Sequence, residues 1–491
     1  MPDVADRPDV LTLDNFIGGR WVKARATSFF DVHNPAVGDV IGRTPLSTAD
    51  DVDAAVQAAA RAFPAWRDTP VNARAQVLYK FKALLEQHFE ELARTVTTEH
   101  GKTLDEARGS VRRGIECVEV ACGAPSLMQG SSLEDIAAGI DCHVVRQPIG
   151  VVAAIAPFNF PAMVPMWFLP FAIATGNTFV LKPSEQVPLS QRRMVDLLQR
   201  CDLPAGVVNL VNGGKDVVNA ICDHPGIRAV SFVGSTPVAK HVYTRTTAAG
   251  KRAQALGGAK NFVVIMPDAD FDRSIGAIAE SFYGCAGERC LAGSMLVPIG
   301  DAHTPARDRL VEAARALKVG DGSVPGVTMG PVISAPHRER VLGYIDTGVK
   351  EGAKLLLDGR GARVEDRPNG YFVGATVFDE VSTAMRIGSD EIFGPVASIC
   401  PVKTLDEAIA LMRSHPNANA TSIFTSSGKA AREFAKHATA SMVGVNIGVA
   451  APMAYFPFGG AKDSFFGDLK AHGRDGIEFY TDKKVTISRW F

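Results

Sequence analysis

Between Val144 and Gly234 the chain alternates short β-branched runs with amphipathic helical stretches, and this rhythm constrains the fold more than any other feature. The runs are Gly150-Val-Val-Ala-Ala-Ile-Ala156, Thr178-Phe-Val-Leu-Lys182, Val207-Val-Asn-Leu-Val211 and Ala229-Val-Ser-Phe-Val-Gly234. A half-exposed strand alternates polar and apolar positions, whereas these are apolar almost throughout and bounded by Gly or Pro, as buried parallel strands are. Helical patterns at Ser190 to Cys201 and Lys215 to Asp223 lie between them. The expected fold class is therefore α/β, with a doubly wound parallel sheet covered by helices on both faces. Asp50 to Gly101, rich in Ala, Leu, Glu and Arg, reads as long helices. A second α/β set starts at Asn261-Phe-Val-Val-Ile-Met266 and runs through Ser294-Met-Leu-Val297 to Thr421-Ser-Ile-Phe424. Lys483-Lys-Val-Thr-Ile-Ser488 reads as a strand at the chain end, which pairs with something, another subunit among the candidates. At 491 residues the chain exceeds the roughly 250–300 that one core supports, so two or more domains are expected.

Composition removes several function classes. A formal net charge of −1, without a Lys/Arg block, argues against nucleic acid. The eight cysteines are scattered, with no C-x-x-C pair and no metal-ligand spacing. Scattered thiols suit a reducing compartment, and the expected location is cytoplasmic. The N-terminal stretch MPDVADRPDVLTLDNF is acidic and lacks the apolar core of a secretory signal. The longest apolar stretch, Ala162 to Ala174, contains two Pro and is too short to span a bilayer.

The residue that stands out chemically is Cys290, in Phe282-Tyr-Gly-Cys-Ala-Gly-Glu-Arg-Cys290. A thiol beside Arg289 on a Gly-rich loop fits a nucleophile that forms thioesters, and the glycines fit close approach of a substrate. Buried structural Cys is the ordinary alternative. Asn159, on the Pro-bounded loop Ala156-Pro-Phe-Asn-Phe-Pro161, offers an amide donor for an oxyanion; a turn Asn is the alternative. Lys182 and Glu185 end the second run in Leu181-Lys-Pro-Ser-Glu185, where doubly wound sheets bind ligands. A carboxylate there suits free ribose hydroxyls and disfavours a 2′-phosphate, which points to NAD; a solvated charge pair is the alternative. Ser235, in Phe232-Val-Gly-Ser-Thr236, opens a helix whose N–H groups suit a pyrophosphate or simply takes an ordinary N-cap. Glu391-Ile-Phe-Gly-Pro395 sets a carboxylate and the aromatic Phe393 on a turn suited to a nicotinamide ribose and ring.

Taken together and in order, these motifs resemble the aldehyde dehydrogenase superfamily, over nearly the full chain from Phe16-Ile-Gly-Gly-Arg-Trp21 to the C-terminal strand. The resemblance implies an NAD-binding domain at 1–128 and 149–258. It also implies a catalytic domain at 259–450 and an oligomerisation ribbon at 129–148 and 475–491. It makes Cys290 the nucleophile and Asn159 the oxyanion donor, and assigns Phe158, Lys182, Glu185, Ser235, Glu391 and Phe393 to the cofactor. A homo-oligomer, dimer or tetramer, is implied as well.

Hydrolytic members of that superfamily carry a Glu four residues before the Lys that matches Lys260, and here Leu256 stands in its place. Without that base, water is a poor acceptor of the acyl group, by a factor typically of order 10²–10⁴. A second thiol, that of coenzyme A, is the better acceptor; Glu288 or Glu391 acting as a substitute base is the alternative. Phe158-Asn-Phe-Pro-Ala-Met-Val-Pro-Met-Trp167, Gly258-Ala-Lys-Asn261 and Gly467-Asp-Leu469 are similar to the CoA-acylating methylmalonate-semialdehyde branch. Glu288, where that branch usually has Gln, and Phe458 to Asp463 depart from its pattern. The likeness implies that Arg289 and Arg113 hold a substrate carboxylate. Two such cations would also lower the thiol pKa. For Arg113, pairing with Glu116 on a helix surface is the alternative. The expected reaction is oxidation of malonate or methylmalonate semialdehyde through a Cys thioester, loss of carbon dioxide, and transfer to CoA to give acetyl-CoA or propionyl-CoA.

Overall fold

A computed structural model describes residues 10–491; residues 1–9, the start of the acidic N-terminal stretch, lie outside it. Its first sheet has eight strands. Five of them, Arg252–Leu256, Ile227–Val233, Val151–Ile155, Thr178–Lys182 and Val208–Leu210, lie side by side and parallel in that order. All four short apolar runs of the sequence are among these five. Antiparallel strands close both edges: Phe465–Phe466 on one side, Asn15–Ile17 and Arg20–Val22 on the other. The Ala-rich block resolves into three helices, Ala49–Asp68, Val71–Gln87 and Phe89–His100.

Ile140–Pro148 ends before Val151–Ile155 begins, and the two belong to different sheets. Gly150, at φ +130, turns the chain where a side chain would be strained. Asn177 fixes the turn by accepting the N–H groups of Ile149 and Gly150 at 2.8 and 3.0 Å. The apolar stretch after Ala162 is the helix Met163–Ala174, buried from Val164 onward. It packs against Leu104–Cys122, where Gly114 leaves room for the Met166 side chain.

The second sheet has seven strands, in the order Lys354–Leu357, Thr376–Asp379, Val396–Ile399, Gly293–Pro298, Asn261–Ile265, Ala420–Phe424 and Met442–Val445. All its pairings are parallel except the first. Each large sheet has its own apolar core, one around Phe168, Phe171 and Phe179, the other around Phe282, Phe378 and Phe424. A third sheet of three strands joins Ser131–Ala137, Ile140–Pro148 and Thr481–Arg489. The C-terminal strand therefore finds its partner within its own chain, pairing along its whole length from Thr481 opposite Pro148 to Arg489 opposite Ile140. The outer edge of that strand stays unpaired among the described residues.

Candidate active site

Parallel strands deliver their following loops to one edge of a sheet. Here the loops after Val151–Ile155, Thr178–Lys182 and Ile227–Val233 bring Asn159, Glu185 and Ser235 to one cavity of ≈ 1040 Å³. Phe158, Glu391 and Phe393 line it too. Lys182 stands behind, almost fully buried, and donates to Glu185 at 2.8 Å. Ser235 caps the helix Thr236–Ala248 without spending its hydroxyl on a backbone N–H, so that helix end faces the cavity with donors to spare. Glu391 accepts the Ala259 N–H at 2.9 Å. Gly258 makes this possible, since a Cβ there would collide with the Glu391 carboxylate.

A second cavity of ≈ 470 Å³ lies on the other side of Cys290, and Cys290 belongs to the walls of both. Arg113, Arg289, Trp167, Phe458 and His472 are in its lining. The helix Phe271–Tyr283 ends just before the loop that carries Cys290, and the strand Gly293–Pro298 begins just after it. Two asparagines clamp the loop by donating to the Cys290 carbonyl, Asn261 at 3.0 Å and Asn419 at 2.7 Å. Asn159 donates one amide N–H to the Glu288 carbonyl at 3.0 Å, which leaves its second N–H for a ligand.

The loop's glycines serve a different end from the one expected. A Cβ on Gly284 would collide with the Arg289 guanidinium, so this glycine makes room for an arginine rather than for a substrate. Cys285 and Ala286 both sit at φ +51, and Gly287 at φ +76 completes a left-handed turn. Gly287 lets that turn press on the backbone of Gly394, in the loop that carries Glu391 and Phe393. Glu106, which caps its own helix by accepting the Thr103 N–H, also accepts the Cys285 N–H at 2.6 Å and Arg289 at 3.2 Å.

Arg289 thus has carboxylate partners in Glu106 and, at 3.5 Å, Glu280. Its charge does not lower the Cys290 pKa as expected. Burial and the neighbouring Glu391 push the thiol up to about 12, against the pull of the Cys290 and Leu291 N–H groups and Lys102. Arg113 lines the cavity and is paired with Glu116 at 3.3 Å, as the helix-surface alternative has it.

Leu256 is buried and lines neither cavity. The Glu288 carboxyl is fully buried, accepts the Ile333 N–H at 3.1 Å and lies 3.4 Å from His337, and Glu288 lines neither cavity. Of the two substitute bases considered, only Glu391 lines a cavity with Cys290. Sequence reasoning passed over Asn419, Glu106, Cys285 and His472. Glu106 carries a legible signal, the capping pattern Thr103-x-x-Glu106; the others carry none. Among the described residues no cluster of His, Cys, Asp and Glu suits a metal, and no helix is long and apolar enough to cross a membrane.

The aldehyde dehydrogenase family model matches residues 21–486. Malonate-semialdehyde dehydrogenase 2 of Geobacillus kaustophilus is 52% identical over 482 residues, covering 98% of this chain and 99% of its own. Malonate-semialdehyde dehydrogenase of Halalkalibacterium halodurans is 50% identical, covering 97% and 98%. Among solved structures, methylmalonate-semialdehyde dehydrogenase from Oceanimonas doudoroffii superposes with a TM-score of 0.96 at 45% identity, covering 98% of this chain and 99% of its own. A Sinorhizobium meliloti structure complexed with NAD superposes with a TM-score of 0.97 at 44% identity, covering 99% of each chain.

Proposed function

Because the chain belongs to the aldehyde dehydrogenase family, we propose that it oxidises malonate or methylmalonate semialdehyde with NAD and passes the acyl group to coenzyme A. The observation that carries this reading is the position of Cys290 in a wall shared by two cavities; Leu256, which matches the hydrolytic Glu in sequence only, supplies no base.

The larger cavity fits NAD: a carboxylate at a strand end, a helix N-terminus with free donors, and a carboxylate seated over a glycine that no side chain could replace. When bound there, NAD supplies the hydride acceptor. Glu185, oriented by Lys182, holds the adenosine ribose. Glu391 takes the second ribose, and Phe158 and Phe393 flank the ring site.

The aldehyde enters the smaller cavity. The Cys290 thiol passes its proton to water as its sulfur bonds to the aldehyde carbon, and the oxygen gathers negative charge facing the free Asn159 N–H and the Cys290 backbone N–H. Oxidation leaves a thioester on Cys290. In a malonyl-type thioester the carboxylate is β to the carbonyl; loss of carbon dioxide leaves an enolate for the same donors, and protonation at carbon completes the acyl group. The CoA sulfur then bonds to the acyl carbon and the Cys290 sulfur departs. We also assign the three-stranded ribbon to assembly of a homo-oligomer, and the enzyme, with all eight cysteines free, to the reducing cytoplasm.

Product analysis tests the reading. With malonate semialdehyde, NADH formation should depend on CoA beyond a first turnover and yield acetyl-CoA. Sustained turnover to free acid without CoA would establish the hydrolytic alternative, with Glu391 as its base.

A further inference from the structure

The helix Phe89–His100 ends on Gly101, at φ +93, and the helix Leu104–Cys122 starts from its N-cap Thr103, which leaves Lys102 in the corner between them. The corner is gripped from outside. Gly322 and Gly330 press so close on the carbonyls of Lys102 and Gly101 that neither has room for a Cβ, and the Leu104 N–H donates to the Gly322 carbonyl at 2.9 Å. From this fixed corner the Lys102 side chain runs inward, and the residue is only 1% exposed.

A buried ammonium ordinarily has a carboxylate against it, because taking an unpaired charge out of water is costly. Among the described residues no carboxylate makes an ion pair with Lys102. Its Nζ instead donates to the main-chain carbonyl of Asn159 at 2.6 Å and stands 3.9 Å from the centre of the Phe160 ring. The charge strengthens the first contact and the ring face attracts the cation in the second. Burial lowers the Lys102 pKa, opposed by the neighbouring Cys285 thiol and Glu106. Asn159 is thus held at both ends, its main chain by Lys102 and its side-chain amide by the Glu288 carbonyl at 3.0 Å. The two residues that Lys102 touches face different chambers, Asn159 the larger and Phe160 the smaller, while Lys102 lines neither.

We propose that Lys102 is a positioning residue of the oxyanion site: its buried ammonium fixes the Asn159 backbone and the Phe160 ring, and so keeps the free Asn159 N–H aimed at the aldehyde oxygen. This rests on the reading of Asn159 as the oxyanion donor. A donor stabilises a developing charge fully only if it is already in place when the charge appears. Residues 156–161 belong to no helix or strand, so no ladder of backbone hydrogen bonds holds Asn159 still, and an outside partner must. Lys102 is that partner, and the gripped corner at Gly101 gives it a rigid base. Its lack of a carboxylate partner has a use as well: the unspent charge is among the groups that draw the Cys290 thiol toward ionisation.

The experiment is a double-mutant cycle read as the rate of first-turnover NADH formation at saturating malonate semialdehyde and NAD. Lys102→Met keeps the shape of the chain and removes the donor; Lys102→Gln keeps a donor without the charge. Lys102→Met should lose about 10–100-fold, as for a lost hydrogen bond to a charged group, and Lys102→Gln about fivefold. Asn159→Ala should lose about 10²–10³-fold. In the Asn159→Ala enzyme either Lys102 substitution should cost less than about twofold more, because it then acts on a donor that is gone. The KM for NAD should stay within about twofold in both Lys102 variants, since Glu185, Ser235 and Glu391 stand on other loops; a general disturbance of the site would raise it. Losses at Lys102 that persist undiminished without the Asn159 amide, or a Lys102→Gln enzyme as slow as Lys102→Met, would overturn the inference. Should Lys102→Met fail to fold, the cycle with Lys102→Gln decides alone, on whether its fivefold loss vanishes in Asn159→Ala. Full NADH formation by Asn159→Ala itself would instead overturn the oxyanion reading on which the inference rests.

Discussion

At the scale of the residue, Glu391 shows how burial makes a cavity-lining carboxyl titrate near neutral pH. Desolvation pushes its carboxyl up to about 7, against the Ala259 N–H, Arg340 and Lys260. Below that pH it is protonated; above it, ionised, and a ribose hydroxyl donates more strongly to the ionised form. The KM for NAD should therefore fall as pH rises from 6 to 8, and Glu391→Gln should flatten the profile; an unchanged profile would remove Glu391 from the cofactor site. Folding runs the other way. A carboxyl whose folded pKa is raised contributes stability that is present below its unfolded value of 4.5 and lost as pH rises through about 7. That Cys290 and Asn159 come together at one cavity was legible in the sequence, since a thiol, an amide and five ordered motifs point to one another. The thiol's acidity was not, because the Arg289 charge is spent on Glu106 and Glu280, and only the fold reveals which carboxylates a guanidinium meets.

At the scale of the element, the most telling contact is backbone against backbone. Gly287 meets Gly394, so the nucleophile loop and the Glu391–Phe393 loop hold each other in place. Gly287→Ala would add a Cβ at φ +76 and against the Gly394 carbonyl. The expected cost is about 1–3 kcal/mol in stability. The KM for NAD should rise more than that for aldehyde, because the displaced loop belongs to the larger cavity; an equal rise in both would deny the coupling. The parallel strands could be read because buried strands announce themselves as short apolar runs, and Thr178–Lys182 and the helix Lys215–Asp223 were read with their observed limits. The backbone at Gly150 could not, since a single residue at φ +130 leaves the hydrophobic pattern around it intact. The partner of the C-terminal strand came only from the family likeness, which joins 129–148 and 475–491 in one ribbon, because a strand's own sequence specifies a pairing face and not the chain that supplies it.

At the scale of the molecule, the ribbon stands apart from both cores. In its register Ile487, Cys142 and Leu133 lie opposite one another and share a face, as do Val485 and Val144. Leu133, Val485 and Ile487 are 58%, 57% and 70% exposed, more apolar surface than a free strand edge usually shows to water. Ile487→Lys should reduce the particle mass measured by light scattering while leaving each subunit folded; an unchanged mass would take this face out of assembly. The ribbon's role in joining copies was suggested by family likeness alone, since nothing in residues 129–148 distinguishes an interface from a solvated hairpin.

The shared wall at Cys290 has one last consequence, and it concerns timing. A sulfur reached from two chambers can exchange goods with each in turn, but its own acyl group bars passage between them. If the oxidised cofactor and the accepting thiol use the same chamber, they must take turns in it, so reduced cofactor departs before the second thiol arrives. The order of events in the catalytic cycle would then be written into the position of one side chain.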